Sequence, residues 1–324
     1  MLIDPVEKWV ERLYAETVPY KARIEWCGSG EFKMLSDAVI PASDKWKEDR
    51  VDHNWPDDYP DPKLLRQDVR HMVQAIAGAL RDVFGDENVH AIWFKGSAQK
   101  QWASLVDYVP ALSDVDIHVL LSDETAPAFH ELTTALDVQA RIEENFAVSA
   151  PDALHVPRPQ INLINELKDN DDYIASPAAI VETIYGRAPE SGDYTDVEKI
   201  RAMDRAALIG NAAEVANIPH RAIDRPNLYQ WDLLRALSWR ISPLGSRLLC
   251  VSGVAPEQAW SMNRTSILAS LRESGLIEIG EHWEQFYRSC WRYYLSQNND
   301  GAAGRAALHA AADALRLAGE YAQK

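Results

Sequence analysis

The sequence predicts an α+β chain, a sheet flanked by helices followed by an all-helical bundle. Three observations carry that prediction. Apolar, strand-like runs lie on either side of residue 100; helical periodicity brackets them; and from Asp196 onward every segment reads as helix. At 324 residues with 47% hydrophobic content, two domains with packed cores are the natural expectation.

Taken in order, residues 6–17 read as a short amphipathic helix with Trp9, Val10 and Leu13 on one side, and residues 27–62 as a polar stretch rich in turn formers. Gly28-Ser29-Gly30 within it is read as a plain turn, and Trp46, Trp55 and Tyr59 as anchors onto the core. From Pro62 to Phe84 the chain has a helical period, with Leu65, Val69, Met72, Val73, Ile76, Leu80 and Phe84 on one stripe and Gly85 as C-cap. A strand then runs through Ala91, Ile92, Trp93 and Phe94 into Lys95-Gly96-Ser97. A helix-compatible segment follows, and a second strand carries Asp114 and Asp116. The stretch from Pro127 to Phe146 is helical, and DALHVPRPQINLINEL returns to strand. An acidic turn and the IVETIYGR segment close the first region. Helices follow over 198–216, around Leu228, Trp231, Leu234 and Ile241, over the aromatic stripe from Trp283 to Tyr294, and over Ala302–Ala322, making a bundle of about five. That stripe is read as core. The predicted division is an N-terminal extension over 1–60, a core over 61–190 and a helical domain over 195–324.

The chemistry concentrates between Lys95 and Asp116. Side chains at i and i+2 of a strand share a face, so Asp114 and Asp116 present two carboxylates side by side, a like-charge pair that needs a compensating cation. Magnesium suits it, because that ion takes carboxylate oxygens together with substrate phosphates. Gly96 lets backbone N–H groups approach a phosphate, and Ser97 adds a hydroxyl at the start of the helix expected there. Each part also has a plainer reading: a turn glycine, an N-cap serine and a solvent-facing Asp-x-Asp.

Gly96-Ser97 at the end of one strand, followed by Ser113-Asp114-Val115-Asp116-Ile117-His118-Val119 on the next, resembles the nucleotidyltransferases of the DNA polymerase β superfamily. Among these it is most similar to the small bacterial enzymes, such as aminoglycoside adenylyltransferases, that join this core to a helical C-terminal domain. The motifs cover roughly residues 65–190. The resemblance implies a polymerase β-like mixed sheet and two Mg2+ ions on Asp114 and Asp116. It further implies a nucleoside triphosphate, ATP being the expected one, held by Lys95, Gly96 and Ser97. Transfer of the nucleoside monophosphate to a hydroxyl of a small-molecule acceptor would release pyrophosphate. The connection from Ser97 to Asp114 is longer than the family's, implying an insertion around Ala103–Leu112. In QAWSMNRTSILASL, which resembles the helical segment facing the nucleotide cleft, Arg264 becomes a phosphate or acceptor contact.

One departure bears on activity. The family's third carboxylate falls at Asn162, which can ligate a metal through its carbonyl but cannot take a proton. By alternation Gln160, Asn162, Ile164 and Glu166 share a face, so Glu166 is the candidate to complete the catalytic set. Three explanations stay open: Glu166 or another acid fills the gap, the alignment is displaced, or the enzyme is impaired.

Net charge is −16, from 49 acidic and 33 basic residues. That disfavours a long nucleic acid and favours a cationic acceptor, while also being an ordinary route to solubility. No apolar run approaches the roughly 18 residues of a membrane span. Cys27, Cys250 and Cys290 are few and unpatterned, and the N-terminus is too charged for a secretory signal, which together point to the cytoplasm. Two further readings are a catalytically impaired member that binds nucleotide or a protein partner, and a toxin-type enzyme modifying RNA or a protein.

Overall fold

The computed structural model describes residues 55–56, 59–170 and 173–324. The helix expected over 6–17, Gly28-Ser29-Gly30 and Trp46 lie outside the described residues. The first described helix, α1 (Pro62–Phe84), has the bounds its caps dictate. Asp61 accepts from Lys63 N at 2.8 Å, Pro62 stands at N1, and the N–H of Gly85 bonds Arg81 O at 2.9 Å.

Four strands make one sheet: β1 (Val89–Lys95), β2 (Asp114–Leu121), β3 (Arg158–Leu163) and β4 (Glu182–Gly186), in the order β3-β2-β1-β4. β1 is antiparallel to both β2 and β4, and β2 is parallel to β3, so the sheet is mixed. Alternation sorts its faces. Ile92, Phe94, Val115, Ile117 and Val119 pack against α1 and α2 (Leu132–Ser149), which brings Ile142 and Phe146. Ala91, Trp93 and Leu120 occupy the other face with Ile164 of the one-turn helix α3 (Ile164–Leu167). On that second face the apolar row gives way, toward the N-terminal end of β2, to His118, Asp116 and Asp114.

The helical region comprises α4 (Val197–Ala213), α5 (Ile218–Ala222), α6 (Gln230–Ile241), α7 (Leu244–Val251), α8 (Pro256–Ser261), α9 (Arg264–Glu273), α10 (Ile277–Leu295) and α11 (Gly301–Ala322). The aromatic stripe of α10 is core: Trp283, Phe286, Tyr287 and Trp291 are all buried. α11 packs along α10 through the small side chains Ala303, Ala307, Ala311, Ala314 and Ala318, which allow close approach.

Two expectations change. No α-helix follows Ser97; residues 97–100 make a turn, and only a 3-10 turn, Leu105–Asp107, precedes β2. The reason is tertiary. Leu105, Val106, Val109 and Leu112, in the stretch expected to be an insertion, are buried in the core of the helical region, and Trp291 Nε1 donates to Leu105 O (2.8 Å) and Tyr108 O (3.0 Å). The second change is that β3 ends at Leu163, so Glu166 stands on α3 rather than further along a strand. Trp55 and Tyr59 anchor as expected, edge-on to Trp291. Among the described residues no helix is long and apolar enough to cross a membrane.

Candidate functional site

A cavity of about 790 Å³ opens between the second face of the sheet and helices α4, α6, α7, α9 and α10. Lys95, Gly96, Ser97, Asp114 and Asp116 line its sheet wall, and Arg264 lines its helical wall. Six of the residues singled out from sequence thus meet in one place.

The antiparallel register pairs Lys95 with Asp116, which brings the turn after β1 against the carboxylate pair on β2. Gly96 has φ +84°, and a Cβ there would stand 2.1 Å from Asp116 Oδ2. Only glycine satisfies both conditions, the left-handed backbone and the missing side chain. The turn closes through Gln99 N and Lys100 N on Gly96 O, at 3.2 and 3.3 Å.

The aspartates differ in their partners. Asp114 accepts from Arg158 Nε at 2.7 Å, and Arg158 Nη2 is paired with its other oxygen. Burial lifts the Asp114 carboxyl above the usual carboxylate range, while Arg158, Arg264 and the Trp239 indole act the other way. Burial pushes Asp116 up to about 6, with Asp114 adding to the effect and Lys95 chief among the groups opposing it. With its amide oriented to satisfy both acids, the nitrogen of Gln160 donates to Asp114 Oδ2 at 3.0 Å and Asp116 Oδ1 at 3.1 Å.

The neighbour of Asp116 on β3 is therefore Gln160, not Asn162. The parallel register sets Arg158 beside Asp114, Gln160 beside Asp116, and Asn162 beside His118, one pleat further from the turn. Glu166 is more than half exposed, hydrogen-bonded to His130, and does not line the cavity. Arg264 lines it, but its guanidinium donates to Val106 O, Asp107 O, Ser113 Oγ and Ser242 Oγ and lies 4.2 Å from the Tyr287 ring centre. It joins the walls of the cleft before it contacts any ligand.

Sequence reasoning missed three groups. Arg158 and Gln160 depend on a strand register that no local pattern reveals. Lys100 follows Gly96 by one turn, and its ammonium donates to Trp260 O (2.6 Å) and Met262 O (2.7 Å); burial, aided by Arg264 and Lys95, pushes it down to about 8. Spacing from Gly96 was the available signal for Lys100.

Among the described residues, no three His, Cys, Asp or Glu side chains group around a point where an ion would sit. The acidic donors on the sheet wall are Asp114 and Asp116, the first already engaged by Arg158. These two, with phosphate oxygens and water, are the residues that could hold a Mg2+ ion. The cleft is also not strongly acidic, since Lys95, Lys100, Arg247 and Arg264 line it together with Asp107, Asp114, Asp116 and Asp204.

Comparison of the chain with protein-family models, with curated proteins and with solved structures found no match.

Proposed function

We propose that the cleft binds a nucleoside triphosphate with one Mg2+, and that the chain is a nucleotidyltransferase passing the nucleoside monophosphate to a hydroxyl of a small-molecule acceptor. The observation that carries this reading is the contact of the Gly96 turn with Asp116. A turn able to receive phosphate and a carboxylate able to hold a cation are packed together, so one metal-bound phosphate chain satisfies both.

In this reading the backbone of Gly96 and Ser97, with Lys95, holds the phosphates. When bound, Mg2+ supplies charge neutralisation at the phosphates, held by Asp116 with Asp114 beside it. The acceptor oxygen bonds to the α-phosphorus, the bond to the β-phosphate oxygen breaks, and pyrophosphate leaves. Among the described residues lining the cleft, Asp116 is the carboxylate engaged by neither an arginine nor backbone N–H groups, and it is the candidate to receive the acceptor's proton. The protein's contribution is positioning and electrostatics in a recessed site.

The test is calorimetric binding of ATP and GTP with and without Mg2+ to wild type and to Asp114→Ala/Asp116→Ala, followed by an acceptor screen for pyrophosphate release. Metal-dependent binding lost in the double variant is the expected outcome; absence of nucleotide binding under every condition refutes the reading.

A second reading, nucleotide binding without transfer, is favoured by one feature: Arg158 and Gln160 flank the aspartates where a third carboxylate would serve a two-ion mechanism. Tight Mg2+-dependent ATP binding with no pyrophosphate released for any acceptor would select it.

A further inference from the structure

The helical wall of the cleft carries a cation that the nucleotide reading does not use. Ile200, Met203, Asp204 and Ala207 recur at helical spacing on α4, and all four line the cavity. Ser246 and Arg247 line it from α7, which packs against α4, and Trp260 from α8. A guanidinium has five N–H donors. Those of Arg247 make no hydrogen bond among the described residues: Nε is buried without a partner, and the ion pair with Asp204 Oδ1 stays open at 3.5 Å. Asp204 itself has other donors, since Trp260 Nε1 gives to its Oδ2 at 3.3 Å and the Cys250 thiol is a further one. Arg264, the other arginine lining the cleft, is different, with its guanidinium bonded to two carbonyls and two hydroxyls.

Burial weighs against the Arg247 charge, and leaving buried N–H groups unbonded adds to the cost. An anion in the cavity relieves both. A carboxylate meets the guanidinium fork with two parallel bonds. A doubly charged phosphate would be repelled by Asp204, whereas a singly charged, planar carboxylate suits one guanidinium.

We propose that Arg247 anchors the acceptor, which is a small hydroxylated carboxylic acid: its carboxylate lies on the guanidinium, its carbon skeleton along Met203 and Ala207 of α4, and its hydroxyl receives the nucleotide. That oxygen bonds to the α-phosphorus, the bond to the β-phosphate oxygen breaks, and the hydroxyl proton passes to Asp116. The assignment reverses the cationic acceptor favoured by net charge, because an unbonded cation inside the cleft acts directly while surface charge is screened by salt. The inference rests on the proposed function only for the fate of the hydroxyl; the anchor rests on Arg247.

The experiment is calorimetric titration of the full chain, with Mg2+ and with or without α,β-methylene ATP, which cannot release pyrophosphate. The probes are L-serine, L-threonine and D-glycerate, each beside its carboxamide, and serinol, an amine without a carboxylate. Wild type, Arg247→Met and Arg247→Lys are compared, with thermal unfolding to verify the fold. Wild type is expected to bind the carboxylates at least about tenfold more tightly than the carboxamides or serinol. Arg247→Met should reduce that preference to within about twofold while leaving the affinity for α,β-methylene ATP within about twofold, and Arg247→Lys should keep part of the preference. A wild type that binds carboxamides or serinol as well as carboxylates overturns the proposal. So does a preference that persists in Arg247→Met, or a variant that loses nucleotide and carboxylate in the same proportion, as a merely structural arginine would. Carboxylate selection that depends on Arg247 without any nucleotide binding supports the anchor and refutes the nucleotide reading. Nucleotide binding without carboxylate selection does the reverse. Should Arg247→Met fail to fold, Asp204→Asn decides: removing the competing charge should tighten carboxylate binding at least about threefold, and unchanged or weaker binding overturns the proposal.

Discussion

The Gly96 turn offers the sharpest test, because the chain contains its own control. Gly96 and Gly85 both have φ +84°, so an alanine at either position carries a backbone cost, about 1–3 kcal/mol. For a protein of this size that lowers Tm by a few degrees. The two differ in what the new methyl group meets. At Gly85 it meets Glu87 Oε1 at 2.8 Å, the far end of an exposed, flexible side chain that can swing away. At Gly96 it falls 2.1 Å from Asp116 Oδ2, so the carboxylate must withdraw by about 1 Å to reach ordinary contact. A displacement of about 1 Å in a positioned group costs on the order of 100-fold in turnover. Gly96→Ala should therefore weaken Mg2+-dependent ATP binding at least about tenfold and nearly abolish pyrophosphate release, whereas Gly85→Ala, also destabilised through its backbone, should bind as wild type does. Thermal unfolding and calorimetry on the pair are sufficient. Wild-type affinity in Gly96→Ala would show that the turn and Asp116 do not belong to one binding site. Equal loss of binding in Gly85→Ala would show that stability, not the site, was being measured.

Other outcomes follow from the same structure. Gln160→Asp places a third carboxylate beside Asp116 and should strengthen the Mg2+ dependence of ATP binding about tenfold; weaker dependence would mean that the amide's bridge between the aspartates matters more than a further metal ligand. Trp291→Phe removes the donor to Leu105 O and Tyr108 O and leaves a small void at a fully buried site, a loss of about 2–4 kcal/mol by urea unfolding. A loss below about 0.5 kcal/mol would show that the 103–112 segment is not held by this contact. Burial, reinforced by Lys95, pushes the His118 imidazole from 6.5 down to about 3. Between those values the unfolded chain binds a proton that the native state does not, so stability present above pH 6.5 is lost as pH falls, by up to about 1.4 kcal/mol per unit. His155, bonded to Asp68 and Tyr108 and also lowered by burial, adds a change of the same sign. Urea unfolding at a series of pH values should show this slope reduced in His118→Phe, and an unchanged slope would remove His118 from the account.

Much of this architecture is written in local pattern. The bounds of α1 follow from Asp61, Pro62 and Gly85, since capping and backbone conformation are properties of neighbouring residues. The side-by-side carboxylates follow from a period of two, and the buried stripe of α10 from the spacing of Trp283, Phe286, Tyr287 and Trp291. These features need no knowledge of what packs against them.

The remainder depended on partners distant in the chain. Alternation put Gln160 and Asn162 correctly on one face, but sliding β3 by two residues preserves that face, so only the pairing with β2 decides which of them stands beside Asp116. The segment after Ser97 is compatible with a helix by itself. It is drawn instead into a turn and a 3-10 turn, because Leu105, Val106, Val109 and Leu112 find their burial in the helical region. Glu166 leaves the face of Asp116 because β3 stops at Leu163, and Arg264 reaches the cleft with its guanidinium already bonded to the carbonyls of that same segment. The chain by itself specified which side chains share a face; strand register and long-range burial, which no local sequence encodes, decided which of them meet.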